Sequence, residues 1–318
     1  MTDAITTTSK TTITATADIW EAFLAECDAT PKTVDTYRHA LRCFRRWLDA
    51  EGLEPLEVTR DAVLAYKRDL AGTKSAATVN AYLTAVRAFY RWTEAKRVYP
   101  NVAAGVKGVK VSRASAKDAL TPAQAVRVLQ PAGDGLEALR DYAMVNLMLR
   151  RGLRTVEVSR ANVGDIRQTG GKAVLYVQGK GYADKGEIVV LSDDVLSPIH
   201  AYLAARGPVS DSDPLFAGVG NRNKGGRMTT RSVSRIAKAA MTDAGVCSPR
   251  LTAHSLRHTA VTFALMAGAT VQEAQAMARH SDISTTMVYA HNLDRLKGSA
   301  ETAVDALLAK AARDARAA

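Results

Sequence analysis

Cysteine is scarce in this chain of 318 residues. Only Cys27, Cys43 and Cys247 are present, and no two of them stand in a C-x-x-C spacing. A disulfide framework and a zinc site both need clustered cysteines, so the sequence predicts neither and fits a reducing cytoplasm. Long apolar runs and a secretory leader are also missing. These absences predict a cytoplasmic protein with no membrane segment, and the length is enough for two domains.

Negative charge is in short supply as well. The chain has 32 Asp and Glu against 43 Lys and Arg, which gives a formal net charge of +11 and a pI near 9.6. This excess predicts a polyanionic partner, although ribosomal and membrane-surface proteins share it. The sequence contains no P-loop and no carboxylate cluster of the kind that holds metals, so no cofactor and no metal are predicted.

The first hundred residues predict a compact bundle of four helices. One spans about residues 17 to 26, and Thr30 followed by Pro31 indicates the N-cap and first turn of the second. Thr59 is predicted to cap the third helix, and the fourth runs from about 76 to 95. The second and fourth carry apolar stripes at helical spacing: Val34, Tyr37, Leu41, Phe44 and Leu48, then Val79, Leu83, Val86 and Tyr90.

The rest of the chain predicts a basic linker and a mixed domain. A capping box, Thr121 to Gln124 with proline at its first helical position, marks the start of that domain. Two strands, 173–177 and 187–191, form a hairpin among helices near 136–149, 194–205, 230–244, 254–267 and 271–278. We therefore expect a mainly α fold with a small β-sheet (α+β). Its parts are a disordered N-terminus (1–16), a helical domain (17–104), a linker (105–117), a second domain (118–298) and a terminal helix (299–318).

Five residues that lie far apart in the sequence have side chains suited to one reaction. His254 and Arg257 form an H-x-x-R motif. Tyr289 stands nine residues after His280, and Arg154 lies far upstream in Gly-Leu-Arg-Thr-Val-Glu. Arginine forks bind phosphoryl oxygens bidentately, histidine transfers protons near neutral pH, and a tyrosine hydroxyl can hold a phosphoryl group covalently. Together they predict a site for a five-coordinate phosphate.

These motifs resemble, in order and spacing, those of the tyrosine recombinases of the phage integrase family. The family also has a G-K-G hairpin turn, matched here by Lys180, and an S-T-T-x-x-Y run, matched by 284–289. The segment 162–166 takes the place of the family's L-x-W-x-D-I. The resemblance covers roughly residues 17 to 295. It departs at Arg279, which replaces a glycine and is expected beside the active site, either reaching a phosphate or pointing outward.

The resemblance implies a role for each matched residue. Arg154 and Arg257 would hold the two nonbridging oxygens of a DNA phosphate, and His280 would hydrogen-bond that phosphate. His254 would exchange a proton with the attacking or departing oxygen. Tyr289 would be the nucleophile, with its ionisation eased by neighbouring cations. The implied product is a 3′-phosphotyrosyl link made without ATP, metal or cofactor.

Other residues have two interpretations each. Lys180 is implied as the general acid, with Lys185 as the alternative or as a DNA contact. Glu157 would orient the Arg154 guanidinium or form an ordinary ion pair one turn along a helix. The linker cations are either solvated or lie along DNA phosphates: Lys107, Lys110 and Arg113. Arginines and histidines without motif support are predicted to be structural or surface residues: Arg150, Arg151, Arg160, His200, His258 and His291.

The resemblance also implies an assembly. The two domains would clamp double-stranded DNA in a C shape, and a monomer or weak dimer would become a homotetramer on two sites. The tetramer would exchange strands through a Holliday junction, with the terminal helix docked on a neighbouring protomer. Only about 16 residues precede the first helix, which implies a simple Xer-like recombinase or minimal integrase without an arm-binding domain. The alternatives are a type IB topoisomerase and a DNA-binding protein without catalysis.

Overall fold

The computed structural model describes residues 19–111, 118–179, 184–297 and 300–317. Contacts between Cα atoms divide the chain into two compact units, Met1–Arg113 and Ala114–Ala318. The predicted disordered segment 1–16, Arg113 and Lys180 lie outside the described residues. Within the described ranges, no helix is both long and apolar enough to cross a bilayer. The predicted fold class, mainly α with one small sheet, is confirmed.

Among its described residues, 19–111, the first unit contains four helices at the predicted places. The Thr30 hydroxyl accepts the Thr33 N–H, and the Thr59 hydroxyl accepts the Ala62 N–H, so both predicted N-caps are present. Each cap pairs a backbone donor that a helix start leaves without an intrahelical partner. Gly52 closes the longest helix in the left-handed conformation, with φ of 67°. The helices are α1 (Ile19–Glu26), α2 (Pro31–Glu51), α3 (Arg60–Thr73) and α4 (Ala76–Ala95).

Aromatic rings form the centre of this unit. Trp20 of α1 stacks on Phe89 of α4 with ring centroids 4.2 Å apart, and Phe44 of α2 lies 4.8 Å from Tyr66 of α3. Such pairs add a geometric preference to the burial of large apolar areas. One aromatic cluster therefore ties all four helices together.

The first residues of the predicted linker pack against this bundle. The Asn80 side chain of α4 accepts the Val109 N–H at 2.7 Å and donates to the Val109 carbonyl at 2.9 Å. Gly108 permits this clamp, since a Cβ there would lie 2.5 Å from Asn80 Oδ1. Lys107 and Lys110 are exposed on either side. These two cations are thus carried by the helical unit.

The second unit combines nine helices and three strands among its described residues. Its strands form an antiparallel sheet in chain order, with Ile166 opposite Leu175 and Leu175 opposite Val189. The hairpin was predicted, whereas β1 and α12 were not, and α7 was anticipated only as the helical turn that joins Arg154 and Glu157. The elements are α5 (Pro122–Val128), α6 (Leu136–Arg151), α7 (Thr155–Arg160), β1 (Ile166–Thr169), β2 (Lys172–Val177), β3 (Glu187–Val190), α8 (Asp193–Arg206), α9 (Thr230–Asp243), α10 (Ala253–Met266), α11 (Val271–Ala278), α12 (Ser284–Lys297) and α13 (Ala300–Ala317).

Helix α6 lies at the centre of this unit and packs against α8, α9 and α10. Its second half is buried from Ala143 to Leu149. The predicted capping box is present, because Thr121 and Gln124 pair reciprocally at the start of α5. The far C-terminal α13 instead exposes an apolar stripe of Val304, Leu307 and Leu308.

Candidate active site

Three segments of the second unit converge at the end of α6. Gly152 terminates α6 in the left-handed conformation with φ of 63°, and the chain turns there into α7. A Cβ on Gly152 would lie 3.4 Å from the Ala260 Cβ, an ordinary van der Waals contact, so the left-handed backbone is what favours glycine here. The turn between α11 and α12 completes the group, since both helices pack against α10. The motif residues, distant in sequence, are brought together in this way.

Arg154 is the N-cap residue of α7, and Glu157 anchors it. Its Nη1 donates to Glu157 Oε1 at 2.6 Å, while its backbone N–H donates to Glu157 Oε2 at 2.8 Å. The other guanidinium nitrogen, Nη2, donates to the Arg279 carbonyl at 2.9 Å. Glu157 therefore holds the Arg154 guanidinium in place, as the first of its two predicted roles requires. The additional bond to the Arg154 backbone N–H makes the contact more than an ordinary ion pair.

Arg257 is buried in the middle of the site with 1% of its surface exposed. Its Nη1 donates to the Gly152 carbonyl at 2.6 Å, and its Nη2 donates to the Ala278 carbonyl. Burial lowers its pKa to about 9, and the charges of Arg154 and Arg279 add to that shift. The guanidinium remains a cation at neutral pH, held by backbone oxygens from two segments.

Arg279 does not point outward, which corrects one of the two expectations for it. Its side chain is 3% exposed and donates to Glu157 Oε2 at 2.8 Å. A further bond from Nη1 reaches the Met277 carbonyl at 2.7 Å. The residue adopts the left-handed conformation at the end of α11, with φ of 52°. Glu157, with none of its side chain exposed, thus lies between two guanidinium groups.

His280 and Tyr289 lie together near Arg257. His280 Nδ1 is 2.8 Å from the Thr286 hydroxyl, and its ring is nearly parallel to the Tyr289 ring at 6.4 Å. Burial, followed by the charges of Arg257 and Arg154, lowers the pKa of His280 to about 4. The ring is therefore neutral at physiological pH.

Tyr289 is packed inside the unit, and its environment differs from the expected one. It projects from α12 against Val261, Ala274 and Ala278. Burial raises its pKa to about 12, and the charge of Arg257 opposes that change without cancelling it. The charge of Arg257 acts in the expected direction and eases ionisation of the phenol, but desolvation of the phenolate outweighs it, so the net pKa is raised.

His258 is a neighbour of Tyr289 that belongs to none of the motifs. Its ring lies 5.0 Å from the Tyr289 ring and 4.6 Å from the His254 ring. His254 itself is exposed in the first turn of α10. The position of His258, one residue after Arg257 and one helical turn after His254, could have indicated this proximity.

The two lysines of the hairpin differ in what can be described. Lys180 lies outside the described residues. Lys185 is bonded to Asp165 through Nζ and Oδ2 at 2.5 Å, and the same carboxylate oxygen accepts the Asn162 N–H. The site thus gathers Arg154, Glu157, Arg257, His280 and Tyr289, with His254 linked through His258, whereas Lys107 and Lys110 belong to the other unit.

Two protein-family models match the chain. The model described as Phage integrase family matches residues 118–295, and the one described as Phage integrase, N-terminal SAM-like domain matches residues 17–97. The first alone spans more than half of the sequence. The chain belongs to the phage integrase family. The predicted resemblance to tyrosine recombinases is thereby confirmed.

Relatives and solved structures agree with this assignment. Tyrosine recombinase XerD of Bifidobacterium longum is 30% identical over 271 residues, covering 81% of this chain and 86% of the relative. Tyrosine recombinase XerC of Haemophilus ducreyi is 28% identical, covering 86% and 88%. XerH recombinase in a post-cleavage complex with palindromic difH superposes with a TM-score of 0.69 at 19% identity, covering 81% of this chain and 76% of XerH. A lambda integrase tetramer bound to a Holliday junction gives 0.65 at 19% identity, covering 86% and 75%, and both likenesses show a shared fold.

Proposed function

We propose that this protein is a site-specific DNA recombinase in which Tyr289 cuts and rejoins each strand. The tyrosine oxygen attacks the scissile phosphorus, the bond to the 5′ oxygen breaks, and a 3′-phosphotyrosyl link forms. Attack by a 5′ hydroxyl of the other duplex then reseals the strand and releases the tyrosine. One phosphoester replaces another, so no external energy source is required. The observation that carries the proposal is the convergence of Arg154, Arg257 and His280 on one tyrosine.

The two arginines are proposed to hold the nonbridging oxygens. A guanidinium has five N–H donors, and the bonds described above use two of those on each of Arg154 and Arg257. The remaining donors can point to an oxyanion while the used ones fix the orientation. Donors fixed before the reaction stabilise developing charge without reorganising at the transition state.

His280 is proposed to donate a hydrogen bond to the phosphate in its neutral form. Its pKa of about 4 excludes the imidazolium at neutral pH. If Nδ1 accepts the Thr286 hydroxyl proton, the ring proton must sit on Nε2, which then becomes the free donor. Thr286 would therefore select the tautomer that the reaction requires.

The proton of Tyr289 has to leave as the new bond forms, because its pKa of about 12 leaves the phenol protonated at neutral pH. We assign this proton to His254, whose ring is connected to Tyr289 through His258. Lys180 is proposed to protonate the departing 5′ oxygen. The Lys185–Asp165 bond supports this choice, since an ammonium already paired with a carboxylate is a poor candidate for a mobile acid.

The proposed working form is a homotetramer on two DNA sites that passes through a Holliday junction. The lambda integrase tetramer bound to such a junction is a relative with the same fold. In this chain the exposed stripe of α13 needs a partner surface, and we propose that it docks on a neighbouring protomer. Replacing Leu307 and Leu308 by glutamate should weaken cooperative binding to a full site and preserve half-site binding. Ala306→Glu, on the opposite face of α13, is the matched control.

The subtype proposed is a simple Xer-like recombinase or minimal integrase of a phage or mobile element. The bacterial relatives XerD and XerC, each matched over more than four fifths of its length, support this choice. Its place of action would then be the bacterial cytoplasm, where its DNA is. Integration, excision, inversion and resolution share the same strand chemistry and differ in how the sites are arranged.

A covalent trapping experiment tests the proposed function. The purified protein is incubated with fragmented bacterial or phage DNA, and the DNA that stays linked after denaturation is sequenced to give the target. A nicked suicide substrate built on that target should then accumulate a covalent adduct. Tyr289→Phe should form none and still bind the site, whereas Tyr37→Phe in the other unit should react normally. Binding of wild-type protein without any adduct would instead identify a non-catalytic DNA-binding protein. Relaxation of supercoiled DNA by an isolated monomer would identify a topoisomerase.

A further inference from the structure

Arg279 occupies a position where its backbone is strained and its side chain is fully used. Non-glycine residues rarely adopt the left-handed conformation, and the resemblance places a glycine here. The side chain nevertheless makes bonds to Glu157 Oε2 at 2.8 Å and to the Met277 carbonyl at 2.7 Å. Longer contacts of 3.4 Å reach Glu157 Oε1 and the Gly152 carbonyl. A strained residue with this many buried bonds indicates a specific role.

The charges around Glu157 suggest what that role is. A carboxylate with no exposed surface needs a counter-charge, and both Arg154 and Arg279 supply one. With Arg154 alone, the pair would be neutral overall, and little of its positive charge would remain for a phosphate. With Arg279 present, the group of three carries one net positive charge.

The two arginines that bind Glu157 differ in how much of each side chain is left exposed to a ligand. Arg279 is 3% exposed, whereas Arg154 is 24% exposed and can still reach a ligand. The pKa of Glu157 is below its usual value even though burial raises it, and among the lowering contributions the charge of Arg279 is the largest. Arg279 is thus the principal counter-charge of the carboxylate.

We propose that Arg279 is a positioning residue that neutralises Glu157 and thereby leaves the charge of Arg154 available to the scissile phosphate. Its backbone carbonyl accepts Arg154 Nη2 at 2.9 Å, so the same residue also sets the direction of that guanidinium. The inference rests on the proposed function, because it requires Arg154 to bind a phosphate. It adds a dependence on an arginine where the family motif has glycine.

A charge-restoration experiment tests the inference. Arg279→Met keeps an unbranched apolar stem and removes the guanidinium with its charge, and single-turnover cleavage of the suicide substrate should fall about tenfold, less than the loss of a direct oxyanion donor. Half-site binding should stay within about twofold of wild type, because affinity comes from many other phosphate contacts. Adding Glu157→Gln removes the carboxylate that would otherwise neutralise Arg154, and the double variant should cleave faster than Arg279→Met. Arg279→Gly, which relaxes the backbone, should show the same loss as Arg279→Met.

A second readout separates electrostatics from folding. On a substrate whose scissile phosphate is a neutral methylphosphonate, the Arg279→Met defect should shrink to about twofold, since less negative charge has to be balanced. Arg227→Met is the control, because Arg227 donates to the Ser159 and Ala161 carbonyls without contacting Glu157. Its defect should be unchanged by Glu157→Gln and by the neutral substrate.

Three results would overturn the inference: wild-type cleavage by Arg279→Met, a double variant no faster than Arg279→Met, or a defect that persists on the methylphosphonate. Failure of the proposed function is distinguishable from these, because wild-type protein would then form no adduct through Tyr289. If Arg279→Met does not fold, the comparison is made between Arg279→Gly and its Glu157→Gln double variant, with the same expected order of rates.

Discussion

The two units of this protein place their arginines in opposite ways. In the helical unit, Arg42, Arg45 and Arg46 of α2 are exposed around a core of aromatic rings. In the catalytic unit, Arg257 and Arg279 are buried and bonded to backbone carbonyls and a carboxylate. The first arrangement suits a surface that attracts DNA, and the second suits a site that stabilises charge as it develops.

This difference predicts how each unit responds to substitution. Removing an exposed cation costs one of many screened contacts, so the effect is small and depends on salt. Removing a buried cation leaves its partners unpaired in a region that water does not reach, so the effect is large and depends little on salt. A large, salt-independent effect of an exposed arginine, or a small, salt-dependent effect of a buried one, would contradict this distinction between the two units.

The largest effect is expected from the catalytic arginines. Arg154→Ala and Arg257→Ala should each slow single-turnover cleavage by about two to three orders of magnitude, because each removes fixed donors to the phosphate, worth about 3–4 kcal/mol. Lysine should rescue poorly in both positions, since it lacks the planar fork. Near-normal cleavage by either alanine variant would refute its proposed role.

The free energy of unfolding should fall by different amounts in Arg154→Ala and Arg257→Ala. Arg257→Ala leaves the buried Ala278 carbonyl without the Arg257 donor and the Gly152 carbonyl with only a long contact to Arg279, and should lower the free energy of unfolding by about 2–4 kcal/mol. Arg154→Ala leaves Glu157 paired with Arg279 and should cost about 1 kcal/mol or less. Thermal and urea unfolding measure this difference, and equal losses would contradict the bonding described for the site.

The next effect concerns the hairpin lysines. Lys180→Ala should slow cleavage by about two orders of magnitude, as expected for loss of a general acid. A 5′-bridging phosphorothiolate should restore the rate, because sulfur leaves without a proton. Lys185→Ala should lower stability by releasing Asp165 and should gain nothing from the sulfur substrate. Rescue of the Lys185 variant instead would make Lys185 the acid.

Local sequence chemistry predicted much of this fold. The caps at Thr30, Thr59 and Thr121 and the boundaries of α4 and α11 follow from side-chain hydrogen bonding and helical periodicity, which act within a few residues. Strand β1 was missed because Ile-Arg-Gln-Thr lacks the apolar alternation of a half-buried strand and is held by its pairing with β2. Only one turn of the short α7 was anticipated, from the spacing of Arg154 and Glu157, because so short a helix gives too little periodicity to define its bounds.

The sequence predicted which residues form the candidate site, but it did not predict their burial, their orientation or their pKa values. Motif spacing identified Arg154, Arg257, His280 and Tyr289, and the structure brings them together. The inward orientation of Arg279 depends on Glu157 and Gly152, more than a hundred residues away, and the pKa of Tyr289 depends on burial among side chains of neighbouring helices, so no local pattern encodes either. Motif matching thus finds reacting groups, whereas their protonation requires the three-dimensional packing.

A smaller effect is expected from pH. The pKa of His280 is about 4 in the folded protein, below its ordinary value of 6.5, so the folded state binds fewer protons. The stability that the neutral ring contributes is complete above pH 6.5 and is lost as the pH falls toward 4. The full shift corresponds to about 3 kcal/mol, which solvent around the half-buried ring reduces to about 1–2 kcal/mol. The His280→Asn variant does not titrate at this position, so urea unfolding should show a smaller loss of stability between pH 6.5 and 4 than in wild type. Identical pH profiles for the two proteins would contradict the low pKa of His280.

The smallest effect should come from the exposed arginines of the helical unit, and it completes the comparison. If Arg45 contacts a DNA phosphate, Arg45→Ala should weaken half-site binding only a few-fold and reduce the slope of log K against log salt by about 0.9. Cleavage at saturating protein should stay unchanged, because Arg45 belongs to the other unit from Tyr289. Arg68→Ala on α3 is the matched control, since it removes the same charge from another exposed position. Titrations at several salt concentrations measure both slopes. A larger change of this slope for Arg45→Ala than for Arg68→Ala would locate a DNA contact on α2. Equal changes would mean that the affinity comes from the net charge of the surface, without a defined contact at Arg45.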